Sequence, residues 1–93
     1  MSTIQNDTEK DNNAVAGSLS NFIRGHFPLA QRRSLQLTDS LIESGIIDSL
    51  GILDVVAFVE SEFGVRVEDE DLTPENFQSV AQIASYVSRR RKV

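Results

Sequence analysis

The chain has 93 residues, no cysteine, one histidine and a formal net charge of −5. A domain of this length buries about 60–65% of the surface its unfolded chain exposes, which leaves one modest core and little room for an enclosed catalytic cavity. Without cysteine, disulfides, thiolate metal sites and a cysteine nucleophile are excluded.

No run approaches the roughly 20 apolar residues of a membrane span. Met1 to Asn13 is polar and lacks the apolar core of a secretory signal. A soluble, cytoplasmic protein is expected, with no membrane partner. The charge is unevenly placed. From Asp39 to Ser79 there are eleven acids and a single base, Arg66, whereas the remainder carries three acids and eight bases. A segment this acidic repels nucleic acid and favours basic protein partners.

Residues 1–13, rich in Asn, Asp, Thr and Gln, have no apolar periodicity and read as a disordered polar segment. From Ala14 a helical pattern begins: Val15, Leu19, Phe22, Ile23 and Phe27 share one face. Pro28 closes it. The only histidine, His26, stands at this helix end, and with no partner in its neighbourhood it reads as a surface residue.

Leu29 to Ile47 forms a long connection without sustained period. It holds Leu35, Leu37, Leu41, Ile42, Ile46 and Ile47, so it packs over the core. Loops of this length are uncommon in compact domains and are often functional. A short turn at Leu41 to Ser44 is expected, capped by Asp39 or Ser40. Asp48 then reads as the N-cap of the next helix, with Ser49 in its first turn. That helix shows two apolar rows, Leu50, Leu53, Ala57 and Ile52, Val55, Val56, Val59, Phe63, and is expected to be the most buried element. Gly64 follows at the position of a left-handed cap.

Val65-Arg66-Val67 has no second strand to pair with. Glu68 to Leu72 suggests a turn or a short helix. Thr73 reads as a cap with Pro74 at the first helical position. Ser79 and Gln82 have capping-box spacing and open a last helix whose Val80, Ile83, Ala84 and Val87 share a face. Residues 89–92, all basic, complement its dipole. The fold class is therefore all-α: a small bundle of three main helices and one or two short ones, with a long loop between the first two main helices. The organised domain spans 14–90, and 91–93 form a basic tail.

Asp48-Ser49-Leu50 alone is ordinary capping chemistry. A hydrolase serine needs a base and an orienting group, and His26 has no evident third partner. No catalytic residue and no metal site are expected. Ser49 suits the role of substrate better: a helix N-terminus holds a phosphate through its free N–H groups, an effect of about 0.3–1 kcal/mol at an exposed site.

Residues from Thr38 to Val87 resemble the acyl carrier proteins, the phosphopantetheine-binding carrier family. The resemblance rests on residues 41–50 with their Asp48-Ser49-Leu50 centre and on the acidic helix ending in residues 59–65. The acidic patch Glu68 to Asp71 and the Pro74-Glu75-Asn76-Phe77 turn complete it. It implies that Ser49 carries 4'-phosphopantetheine, transferred from coenzyme A by a phosphopantetheinyl transferase, with an acyl or aminoacyl group held as a thioester. Asp48 and Leu50 would flank the attachment. Leu50, Leu53, Asp54, Glu60 and Glu62 would dock partner enzymes, and the apolar interior near Val56, Val59 and Ala84 would shelter a bound chain. The protein would be a non-catalytic, monomeric carrier for lipid or secondary-metabolite biosynthesis.

Two residues depart from the fatty-acid type. Gly51 stands where an acid usually follows Asp-Ser-Leu, and Ile52 where a polar residue is frequent. The approach through Glu43 to Ile47 is closer to stand-alone carriers that serve adenylate-forming ligases, including amino-acid ligases. Three other readings stand beside this one. Residues 68–71 are acidic enough for calcium but lack the glycine and glutamate spacing of a binding loop. Residues 89–92 could touch a phosphate backbone, against the repulsion of the acidic segment. The chain could also be an acidic interaction module without a prosthetic group.

Overall fold

The computed structural model describes residues 6–32 and 34–91. Five α-helices follow in order: α1 (Asn6–His26), α2 (Pro28–Arg32), α3 (Gly51–Phe63), α4 (Pro74–Phe77) and α5 (Val80–Arg91), with a 3-10 turn at Asp69–Asp71 before α4. Among the described residues there is no strand. The all-α class and the three long helices agree with the sequence pattern.

The helix boundaries differ at the start. Residues 1–13 read as disordered, but α1 already runs from Asn6, and the expected boundary at Ala14 falls inside it. Residues 1–5 lie outside the described residues. The apolar stripe that marks a helix in sequence begins only at Val15. The turns before it are tied to the fold by charge: Asp11 Oδ1 lies 3.0 Å from Nη1 of Arg91. The expected basic tail takes in one helical residue, since Arg91 ends α5 and also lies over the Phe63 ring, 5.5 Å from its centroid. Lys92 and Val93 are outside the described residues.

α1 packs chiefly along α5. The Asp11–Arg91 pair joins the start of one to the end of the other, so the two are antiparallel. Val15, Leu19 and Ile23 from α1 and Val80, Ile83 and Val87 from α5 are fully buried between them. α3 adds Val55 and Val59 to this core, and Phe22 of α1 stacks on Phe58 of α3 at a centroid separation of 4.2 Å. The expectation that α3 is the most buried element is corrected. α5 holds six buried residues against three in α3. Val55 and Val59 of α3 are fully buried, with Ile52, Val56, Phe58 and Phe63 packed partly buried beside them. Leu50, Leu53 and Ala57 face solvent.

The caps hold in part. Gly64 is left-handed (φ 69°, ψ 23°) and donates to the Glu60 carbonyl at 3.0 Å. The Ser79 hydroxyl accepts from the Gln82 N–H at 3.2 Å and donates to the Gln82 side-chain oxygen at 3.0 Å. Thr73 does not cap α4 with its side chain; its hydroxyl is buried without a partner, and its carbonyl alone receives Asn76 and Phe77. Asp39 closes the preceding turn, accepting from the Gln36 N–H at 3.0 Å, and does not cap the Leu41 to Ser44 turn. That turn forms, with the Ser44 N–H donating to the Ser40 carbonyl at 3.0 Å.

Candidate functional site

The long connection is fastened by backbone bonds that no residue pattern advertises. The Leu37 carbonyl accepts from the Ala81 N–H at 2.9 Å, and the Leu41 N–H donates to the Gln78 carbonyl at 2.8 Å. Both anchors sit at the α4–α5 junction. The Leu41 carbonyl in turn receives the Ile47 N–H at 3.0 Å. Gly45 lets the chain reverse (φ +83°), a conformation that costs a residue with a Cβ more than glycine. Leu41, Ile46 and Ile47 are buried. With Leu35, also buried, the connection enters the core at three places, and the last of them fixes the residue immediately before Asp48.

Asp48 then caps the helix. Its Oδ1 accepts from the Gly51 N–H at 2.6 Å and its carbonyl from the Ile52 N–H at 3.2 Å. Leu50 is already helical (φ −79°, ψ −33°). Ser49 thus lies in the first turn, as the sequence suggests, and it is exposed. The N–H groups of Ser49 and Leu50 have no partner among the described residues, so this helix mouth keeps two donors open to an anion. A phosphate ester on the Ser49 hydroxyl fits here: the oxygen faces solvent, donors stand beside it, and the buried Ile46-Ile47 pair holds the turn still.

Of the residues expected to meet partners, Leu50 and Leu53 are the most exposed apolar side chains, at 74% and 53%. Glu62 is exposed. Glu60 is placed differently. It is half-buried, and its Oε2 accepts from the Val67 N–H at 2.9 Å, fastening the Val65 to Val67 segment to α3. Asp54 is exposed but has a neighbour the sequence did not suggest. Its Oδ2 lies 3.2 Å from Nε2 of His26. The His26 ring stacks on Phe22 at 4.9 Å and meets Phe27 edge-on at 4.9 Å. Nothing in local spacing signals a pair 28 positions apart. One residue did carry a signal, the unusual Gly51. A Cβ there would lie 2.8 Å from both Cε1 of Phe27 and Cγ2 of Ile47.

Two grooves open along the start of α3. One, of about 290 Å³, opens between the Ser40 to Glu43 turn, Ile52 and the Leu72 to Gln78 segment. The other, of about 590 Å³, lies on the α1 side, between His26 to Leu29, Asp48, Leu50 and Asp54. Val59 and Ala84 are buried in the core and Val56 packs partly buried against it, and an apolar groove opens beside Ile52, Leu72 and Phe77. Among the described residues, no helix is long and apolar enough to cross a membrane.

An exposed serine in the first turn of a helix within an all-α fold is an arrangement that a helical carrier can use. The family model described as the phosphopantetheine attachment site matches residues 29–87. An acyl carrier protein of Thermotoga maritima is 44% identical over 50 residues, which cover 54% of this chain and 59% of that protein. A probable acyl carrier protein, PigG, of Serratia sp. is 31% identical over 75 residues, 81% of this chain and 86% of that one. The chain belongs to the phosphopantetheine-binding acyl carrier family. Members hold acyl groups on phosphopantetheine and pass between the transferase that modifies them and the enzymes that process the acyl group; they are not catalysts themselves.

Proposed function

We propose that Ser49 is the attachment point of 4'-phosphopantetheine in this chain and that the protein works as an acyl or aminoacyl carrier in the cytoplasm. The observation that carries this is the exposed Ser49 in a turn with two open N–H donors, directly after the buried Ile47 and the Asp48 cap. When bound, the group supplies a thiol for a thioester, which the cysteine-free chain lacks. The chain's own residues orient and expose. Asp48 holds the turn, Leu50 and Leu53 present an apolar contact, and Asp54 and Glu62 add charge. The Ile52–Leu72–Phe77 groove is the place for a short carried chain; its volume is at the lower end of ligand pockets. Gly51 and Ile52 make the front of α3 apolar, which favours loading by an adenylate-forming acyl or amino-acid ligase over service as a general fatty-acid carrier.

Mass spectrometry tests the assignment. After incubation with coenzyme A and a phosphopantetheinyl transferase of broad specificity, the chain gains one phosphopantetheine, and Ser49→Ala gains none. An unmodified wild-type chain, or an adduct that survives in Ser49→Ala, overturns it.

A further inference from the structure

We propose that the unloaded pantetheine arm on Ser49 rests in the groove on the α1 side, with its amides against the Asp48 and Asp54 carboxylates and its two methyl groups against Phe27 and Leu29. This rests on the carrier reading above and adds a resting place for the arm. Of the two grooves, only this one is lined by the residues on both sides of the serine, Asp48 and Leu50. The small groove meets α3 at Ile52 alone. An arm rooted at Ser49 therefore has the lining of the α1-side groove next to its point of attachment. At about 590 Å³ that groove is within the usual range of ligand pockets.

The lining matches the arm in kind. Pantetheine carries two amides, a hydroxyl and a carbon bearing two methyl groups, so it needs acceptors and apolar contact together. Asp48 and Asp54 supply the acceptors. Asp48 Oδ1 takes the Gly51 N–H at 2.6 Å, and Asp54 Oδ2 lies 3.2 Å from Nε2 of His26. A carboxylate that accepts one hydrogen bond keeps its charge and has further lone pairs to offer. Its bonds from an amide N–H are stronger than those between neutral groups. Phe27 and Leu29 supply the apolar wall, and Phe27 is held in place. The His26 ring stacks on Phe22 and meets Phe27 edge-on, both at 4.9 Å. Gly51, part of the same lining, has no side chain to push that wall outward: a Cβ there would lie 2.8 Å from Cε1 of Phe27. A wall already formed costs little ordering when the arm settles on it. The tether does the rest. A short flexible link gives an effective concentration in the millimolar range, so contacts too weak to hold free pantetheine hold the attached arm. The Ile52–Leu72–Phe77 groove is left for a carried chain.

Nuclear magnetic resonance on the full chain tests this. The chain is loaded with an isotope-labelled arm from coenzyme A, kept reduced, and checked by mass. Overhauser contacts are expected from the arm's methyl groups to Phe27 and Leu29, with arm amide protons shifted from their positions in free pantetheine. Asp54→Asn keeps the size of the side chain and removes its charge, and should return an arm amide towards the free position. Glu62→Gln, at an exposed residue outside the groove, should leave the arm amides where they are in wild type. Arm resonances identical to those of free pantetheine overturn the proposal, as do contacts to Ile42, Leu72 and Phe77 in place of Phe27 and Leu29. Arm amides that ignore Asp54→Asn overturn the part given to that carboxylate. A chain that takes up no arm overturns the carrier reading and this one together, whereas a loaded chain with a free arm overturns only this one.

Discussion

Gly51 lies beneath Phe27: a Cβ on the glycine would sit 2.8 Å from Cε1 of the ring. The contact joins the end of α1 to the first turn of α3, two residues after Ser49. It accounts for the missing acid after Leu50 by steric exclusion. Gly51→Ala therefore sets two effects against each other. Overpacking costs about 1–3 kcal/mol, and replacing a helical glycine by alanine returns about 1 kcal/mol. A net loss of about 1 kcal/mol is expected in urea unfolding at unchanged m. Combining Gly51→Ala with Phe27→Ala should cost less than the sum of the two single changes, since the double variant removes the clash.

Among the described residues, Asp48 is the only side chain that fastens the serine turn to α3, through its 2.6 Å bond to the Gly51 N–H. Asp48→Ala should lower stability by about 1 kcal/mol, the usual cost of losing an N-cap. Asp48→Asn keeps an acceptor and should retain most of that stability. Thermal melts separate the two. If capping is the main role of Asp48, phosphopantetheine transfer should slow in the alanine variant and stay near wild type in the asparagine one.

Glu60 and Glu62 look alike in sequence and differ in the fold. Glu60 accepts from a backbone N–H at 2.9 Å, and Glu62 is exposed. Glu60→Lys leaves the Val67 N–H without its acceptor and should cost about 1–3 kcal/mol. Glu62→Lys should stay within about 0.5 kcal/mol, as most surface changes do. Chemical unfolding of the pair checks this. Equal stabilities would mean that the Glu60–Val67 bond contributes nothing.

That contrast shows where the sequence is legible. The buried stripe Val15, Leu19, Ile23 repeats at helical spacing, so the helix it belongs to can be read directly. The Asp48 cap, the Gly64 stop and the Ser79–Gln82 box are local chemistry, complete within a few residues, and all three form. The turn at residues 46–50 could be read for the same reason, because it is contiguous. What could not be read is non-local or too short for a period. α2 has five residues and buries only Ala30. The Leu41 to Gln78 bond is backbone to backbone and independent of side-chain identity. The His26–Asp54 and Glu60–Val67 contacts depend on how helices and turns meet, so spacing along the chain carries no trace of them.

Tyr86 offers a test at the other side of the small groove. Its hydroxyl donates to Asp71 Oδ2 at 2.7 Å, tying α5 to the 3-10 turn that leads into Leu72 and Thr73. Burial first, then this bond and the negative charge of Asp71, push its pKa from 10.0 to about 12, while the Arg90 charge pulls it the other way. Because the folded value is raised above the unfolded one, the associated stability is fully present below pH 10 and is lost as pH rises through about 12. Tyr86 is the chain's only tyrosine, so ultraviolet titration of tyrosinate reports this site alone. The folded chain should titrate near 12 and the chain in denaturant near 10. Tyr86→Phe should cost roughly 1–2 kcal/mol at neutral pH, since a hydrogen bond to a charged acceptor is lost. It should also abolish the tyrosinate-linked loss of stability at high pH, leaving whatever the lysines contribute. Coincident folded and denatured titrations would show that Asp71 does not hold the tyrosine.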